Sequence, residues 1–385
     1  MSDPQPIVLA LKKIIHDNNY GPLFEAAIAS ANTYNIKEIK HVKTLDQYYH
    51  WLDNLVRWKP EETPDGRHIY NRLCEFYFFL DQPSVKGLQN AIVPVEKALP
   101  LTPLSQWIVD FAKSWGSFLD TEESLNAHTL ETFYKSPKFN MNEYMAPPSG
   151  YKTFNQLFAR AVKPGYRPIE AISDDRIIVS AADSTFVGAW PVSADSTITV
   201  KDLQWSLHEL LEDSPYKDKF ENGTFMHMFL NTTDYHRLHV PVGGVVRESR
   251  VIQGQAYLDV VAKPVANGEA GEHRLAAVRN KFDYEEFDAL DGTGYQFAQT
   301  RGLIVLETPI GFVAVLPIGM AQVSSVVMTA EVGKTLFKGE EFSYFQFGGS
   351  DHIVLFEAAS NVTLSAEVNV HYNQGRPIGT AAPKK

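Results

Sequence analysis

Phe345-Gln346-Phe347-Gly348-Gly349-Ser350-Asp351-His352-Ile353-Val354-Leu355-Phe356-Glu357 sets two glycines and a serine between segments rich in aromatic and β-branched residues. Such flanks read as strands, and a Gly-Gly pair between apolar runs is a common turn signal. The stretch therefore predicts either a plain hairpin or a serine on a tight turn, free to approach its own backbone. The rest of the chain decides between them.

Working outward, the apolar pattern upstream of this stretch is that of short strands, over residues 177–179, 224–230, 245–252, 303–306, 312–316 and 323–328, with 353–356 inside the stretch itself. A helix is expected over 206–211, and another over 153–161, where Phe154, Leu157 and Phe158 form one stripe before Lys163-Pro164-Gly165. From Pro6 to about Ser136 the apolar residues return every three or four positions, as in Leu104, Trp107, Ile108, Phe111 and Trp115. Glu75-Phe76-Tyr77-Phe78-Phe79-Leu80 is apolar nearly all round, the pattern of a helix buried in a core rather than one offering a face to a partner or membrane. Proline, glycine and serine close the linker 138–150. The expected architecture is α+β: a helical N-terminal extension over 1–140, then an antiparallel-β-rich domain over 151–385. Residues 265–273, polar and turn-rich, read as a surface loop or a lid.

The 385 residues carry 35 basic and 46 acidic side chains, a formal charge of −11. That balance argues against a nucleic-acid partner and against electrostatic docking on anionic lipid. The longest nearly apolar run, 309–321, holds two prolines and is too short to span a bilayer, so no transmembrane segment is expected. The N-terminus has no basic start followed by an apolar core and a small-residue cleavage site, so it does not read as a secretory signal. Cys74 is the single cysteine, which excludes disulfides within the chain and cysteine metal cages and fits a reducing, cytoplasmic compartment.

Asp234-Tyr235-His236-Arg237-Leu238-His239-Val240-Pro241 is the densest cluster of titratable groups. Two histidines three apart would share one side of a helical turn. A metal reading lacks further ligands, so no metal is expected. The rings can be structural, bonded to backbone, or can move protons near neutral pH, as a poised serine requires. Asp183, in Ser180-Ala181-Ala182-Asp183-Ser184-Thr185, ends an apolar strand among small residues. It can cap a turn or orient a histidine, as in a Ser-His-Asp arrangement.

Three blocks occur in order: Phe154-Asn155-Gln156-Leu157-Phe158-Ala159-Arg160 with Lys163-Pro164-Gly165 and Arg167-Pro168-Ile169, then Asp234 to Pro241, then Phe347-Gly348-Gly349-Ser350. Together they resemble the phosphatidylserine decarboxylase family of self-processing, pyruvoyl-dependent enzymes. Leu316-Pro317-Ile318-Gly319-Met320 before Val323-Ser324-Ser325 is similar to a glycine-bearing strand of that family.

The resemblance implies that the chain cleaves itself between Gly349 and Ser350. Ser350 would attack the carbonyl of Gly349, and elimination with loss of ammonia would leave a covalent, self-generated pyruvoyl group as the cofactor, with no external one. It further implies that His239, oriented by Asp183, activates Ser350, that His236 serves the later decarboxylation, and that the two cleaved chains stay associated. The pyruvoyl ketone would form a Schiff base with a substrate amine, and the adjacent carbonyl would take up the electrons released with CO2.

The family's usual motif is Leu-Gly-Ser-Thr, whereas Gly348 and Asp351 stand here. The Phe-Gly-Gly-Ser form, the helical extension and Trp115-Gly116-Ser117-Phe118-Leu119 are similar instead to a divergent branch that includes the fungal L-tryptophan decarboxylase of psilocybin synthesis. The small-molecule substrate this implies is a free, aromatic amino acid. The alternative is a phospholipid, phosphatidylserine. A third reading, of another class, is an unprocessed scaffold without catalysis.

Overall fold

The structure, a computed structural model, describes residues 3–94, 99–200, 203–265, 271–277, 294–321, 325–347 and 350–383. The N-terminal region is helical, with α1 Pro6–Asp17, α2 Gly21–Asn32, α3 Leu45–Leu55, α4 His68–Leu80, α5 Pro103–Leu119 and α6 Ala127–Lys135. Their starts follow from local chemistry. Thr102 accepts a bond from the amide of Ser105 and Pro103 occupies the first turn of α5, while Asn126 and Thr129 cap α6 reciprocally. In α4, Phe76 to Leu80 are all buried, as their all-round apolar pattern predicts. A short helix, α7 Phe154–Phe158, capped by Thr153, leads into the β-rich part.

There the strands used below are β1 Ser184–Pro191, β2 Thr224–Leu230, β3 Arg237–His239, β4 Gly244–Ile252, β5 Arg301–Thr308, β6 Gly311–Gly319, β7 Val326–Met328, β8 Thr335–Leu336, β9 Glu341–Phe345, β10 Ser350–Phe356 and β11 His371–Tyr372. The main sheet is antiparallel in the order β8-β4-β5-β6-β10-β2-β1-β11, and β7-β9-β3 form a smaller one. Two short helices, α8 Leu207–Leu211 and α9 Tyr295–Ala298, cover one side of the main sheet. The α+β architecture expected from the periodicities is what the chain adopts.

Strand β10 lies between β6 and β2, with Ser350 opposite Gly319 on one side and Leu230 on the other. Successive side chains on a strand point to opposite faces. Val354 and Phe356 accordingly enter a core shared with Met226, Met228, Leu230 and the N-terminal helices. Ile353 and Leu355 enter a second core with Phe225, Leu316, Ile318 and Leu207 of α8. Ser350 and His352 face the first core, Asp351 the second.

The hairpin reading of the opening stretch does not hold. Both its flanks are strands, but β9 pairs with β7 and β3, while both edges of β10 are taken by β6 and β2. With no free edge on β10, the chain crosses from one sheet to the other between them. Gly348 and Gly349, on which the tight turn was expected, lie outside the described residues, as do 266–270 of the expected loop or lid and 322–324 of the glycine-bearing segment.

Candidate active site

Register brings Asp183 and Ser350 to one end of the main sheet, while His239 lies on β3 of the smaller sheet. Thr185 of β1 pairs with Phe229 of β2, which pairs with Asp351 of β10, so Asp183, two residues before Thr185, and Ser350 lie near the same edge. The chain leaving β2 at Leu230, the residue opposite Ser350, reaches His236 six residues later.

Ser350 is fully buried and its Oγ has no hydrogen-bond partner among the described residues. A buried hydroxyl without a partner costs about 1–3 kcal/mol and calls for an explanation. His236 is fully buried too, and among the described residues neither ring nitrogen has a hydrogen bond of good geometry, although the backbone of Asp234 and Asn231 lies close by. Its ring stacks on Phe158 of α7 at 4.0 Å between centroids and meets Phe345 edge-on at 6.4 Å. Burial, and then the positive charge of Arg160, hold the imidazole neutral well below the ordinary histidine range, against a smaller pull from the backbone of Asp234 and Asn231. Arg160 is itself buried; its Nη2 donates to the carbonyls of Thr233 and Asp234 at 2.7 and 3.2 Å, and its guanidinium lies 4.1 Å over the ring of Tyr144. It thus pins the loop that presents His236.

His236 and His239 do not share a helical turn. Arg237 to His239 is strand β3, paired antiparallel with β9 while the amide of His239 donates to the carbonyl of Ala181, and on a strand residues three apart face opposite ways. His239 contacts different groups: Nδ1 is 2.7 Å from the Gly339 carbonyl and Nε2 is 3.0 Å from the Tyr235 hydroxyl. A carbonyl only accepts, so Nδ1 carries the proton and Nε2 is the basic nitrogen. Burial lowers its pKa, opposed by the Gly339 carbonyl.

The expected Asp183–His239 pair is replaced by another. Asp183 accepts a forked bond from Arg167, Nε to Oδ1 at 2.8 Å and Nη2 to Oδ2 at 2.6 Å, and a third bond from the amide of Gln374 at 2.8 Å. Arg167 also reaches Glu143 at 2.9 Å. The planar guanidinium matches a carboxylate better than an imidazole does. The charge of Asp183 still reaches the His239 ring and tends to raise its pKa, but the orienting bond comes from Gly339.

Sequence reasoning missed several neighbours. His371 of β11 lies 3.4 Å from Asp234; burial pulls its pKa down, but the bond to Asp234 and the charges of Asp234 and Asp183 outweigh that and raise it. His352, on the face of Ser350, is buried with neither nitrogen bonded among the described residues, and burial together with His227 pushes its pKa down to about 3, against the pull of Asp351. His352 was legible as a titratable residue opening an apolar strand, whereas no strand was expected at His371, and nothing in the sequence marks the partners of either.

The helical region closes the site. Trp115 of α5 lies 5.0 Å from Phe347, and Asp120 accepts from Asn155 at 2.9 Å and from Gln346 at 3.4 Å. Beside this contact a cavity of about 580 Å³ is lined by Met145, Pro147, Tyr151, Arg237, Tyr344 and Gln346. Among the described residues no helix is long and apolar enough to cross a membrane.

Residues 154–380 match the sequence profile of the family described as phosphatidylserine decarboxylase. Phosphatidylserine decarboxylase proenzyme 3 of Schizosaccharomyces pombe is 31% identical over 244 residues, 63% of this chain and 22% of that protein. Proenzyme 2 of Oryza sativa subsp. japonica is 32% identical over 329 residues, 80% of this chain and 48% of its own. The decarboxylase iboD of Amanita muscaria is 27% identical over 279 residues, 66% and 77%. The chain therefore spans about a fifth and about half of the length of the first two.

Proposed function

We propose, proceeding from the fact that this chain belongs to the phosphatidylserine decarboxylase family, that it cleaves itself at Ser350 and decarboxylates a free, aromatic amino acid. The observation that carries this reading is the buried Oγ of Ser350 at the head of β10, which has no hydrogen-bond partner among the described residues. A serine kept only for structure would be bonded or replaced by alanine in such a place, whereas a nucleophile has to be left free.

In the proposed cleavage, Ser350 Oγ bonds to the carbonyl carbon of Gly349, the Gly349–Ser350 C–N bond breaks, and the hydroxyl proton passes to the released amine. Loss of the Ser350 Cα proton with rupture of its Cβ–O bond frees residues 1–349 with a carboxylate end. The resulting enamine becomes an imine, which takes up water and releases ammonia, leaving a ketone on residue 350. His239 is the base for the first transfer, through Nε2, its tautomer set by the Gly339 carbonyl. His236, neutral and unbonded, serves proton transfer during turnover. The pyruvoyl group supplies a carbonyl that engages a substrate amine and an adjacent carbonyl that takes up the electrons released with CO2. Phe158 and Phe345 keep water from His236, and Arg160 keeps its loop in place.

The aromatic preference is supported by the cavity beside Gln346, whose Met145, Pro147, Tyr151 and Tyr344 suit an aryl ring. Two relatives are named for phosphatidylserine, and that lipid is the second reading. Purified protein incubated separately with tryptophan and with phosphatidylserine vesicles should release CO2 from tryptophan; release from the vesicles alone would overturn the substrate assignment.

A further inference from the structure

Strand β10 treats its two faces differently at the residue after Ser350. On the near face the side chains of Ser350 and His352 make no hydrogen bond among the described residues. On the far face Asp351, fully buried, has Oδ2 2.6 Å from the Tyr295 hydroxyl of α9, which donates to it, and 3.3 Å from Nε2 of His227 on β2. Gln296 Nε2 lies 3.3 Å from the same nitrogen. His227 and Gln296 are buried as well. A buried carboxylate is expensive unless bonded, and bonds to an ionised acceptor are the stronger ones. The threonine of the family's usual motif, whose hydroxyl lies one bond closer to the backbone and carries no charge, does not offer Tyr295 the same acceptor.

We propose that Asp351, gripped by Tyr295 and His227, is the positioning residue for the chain end that cleavage creates at residue 350; the inference rests on the self-cleavage reading above. Once the chain is cut, residue 350 becomes the first residue of a 36-residue piece. Strand ends fray unless tied down. The near face has to stay unbonded for chemistry, so the restraint comes from the far face, one residue along. The Tyr295 bond holds Asp351 against α9, with His227 of β2 beside it, and the ladder to Leu230 and Gly319 then fixes where residue 350 presents its reacting atoms. A displacement of about 1 Å at reacting atoms can cost about a hundredfold in rate.

The test uses the full chain as wild type, Asp351→Asn, Asp351→Leu and Tyr295→Phe, with three readouts: intact mass, native-state hydrogen exchange of the amides of residues 351–353, and kcat and KM with tryptophan. All four should cleave. In Asp351→Leu exchange at 351–353 should be at least about tenfold faster, and kcat should fall about 10- to 100-fold with KM within about twofold. Asp351→Asn, which keeps an acceptor for Tyr295, should lie between. A cleaved Asp351→Leu with wild-type exchange and kcat overturns the inference, and so does a variant that fails to cleave where wild type cleaves, since Asp351 would then act in cleavage itself. Should Asp351→Leu not fold, Tyr295→Phe, which removes one hydroxyl, must still show faster exchange, and wild-type exchange there overturns the inference. Exchange needs no substrate, so it decides even where tryptophan is not turned over. An uncleaved wild-type chain defeats the self-cleavage reading and the inference together; a cleaved wild type with unaltered variants defeats the inference alone.

Discussion

Asp183 and Ser350 lie near the same edge of the main sheet, both buried, and their surroundings treat them in opposite ways. Asp183 is bonded by Arg167 twice over and by the amide of Gln374, and Arg167 in turn reaches Glu143. The side chains of Ser350, His236 and His352 have no hydrogen-bond partner among the described residues. Polar groups that hold a structure together are satisfied, because an unpaired buried group is costly; those that must react carry that cost. The contrast separates two kinds of mutational effect. Changes in the Asp183 group should damage stability first, and changes in the Ser350 group should damage chemistry while leaving stability intact or improved.

The largest expected effect is that of Ser350→Ala. It should abolish cleavage and decarboxylation together, since it removes the nucleophile and the source of the pyruvoyl group, and thermal unfolding should show no loss of stability. A large drop in Tm would place Ser350 with the structural groups. His239→Ala should leave an uncleaved chain. His236→Ala should give a cleaved chain with kcat lowered about 10²- to 10⁴-fold, the range for general acid–base residues. An uncleaved His236→Ala would exchange the roles of the two histidines.

Arg167→Gln strands Asp183 in the interior without its charge partner. Breaking such a buried pair costs about 3–5 kcal/mol, measurable by urea unfolding. A change under about 1 kcal/mol, the scale of a surface pair, would show that Asp183 is held by the backbone alone.

The smallest effect concerns pH. His352 is pushed down to about 3 in the folded chain by burial and His227, while the unfolded chain titrates in the ordinary range. The unfolded state then binds a proton that the folded state does not, so stability falls as pH drops from about 6.5 towards 3. Between pH 7 and 5 this group alone removes about 2 kcal/mol. His352→Val should flatten that part of the stability curve; an unchanged slope would mean the ring is charged in the fold.

Much of this organisation was legible in the sequence. Strands β2, β4, β5, β6 and β10 of the main sheet announced themselves by their apolar runs, and the helices by their stripes and caps, which are local signals, whereas β1, β8 and β11 were not expected. Long-range pairing was not legible. Nothing local tells that β9 and β10, on either side of Gly348-Gly349, belong to different sheets, since that depends on β6 and β2 occupying both edges of β10. The histidine pair was misread for the same reason: a three-residue spacing suggests a helical turn until strand pairing with β9 imposes alternation. Asp183 was singled out, but its partner is 16 residues away in a loop, and a fork between Arg167 and Asp183 leaves no local trace. Asp351 and His352 were visible as two titratable residues opening an apolar strand, and their opposite faces followed only once the register was known.

The intact mass of the purified wild-type chain tests self-cleavage at Ser350 most directly. Self-cleavage predicts two species, residues 1–349 and residues 350–385, the second lighter by one ammonia than a serine-started fragment and reactive towards carbonyl reagents. A single chain of 385 residues, unchanged after ageing, would contradict it.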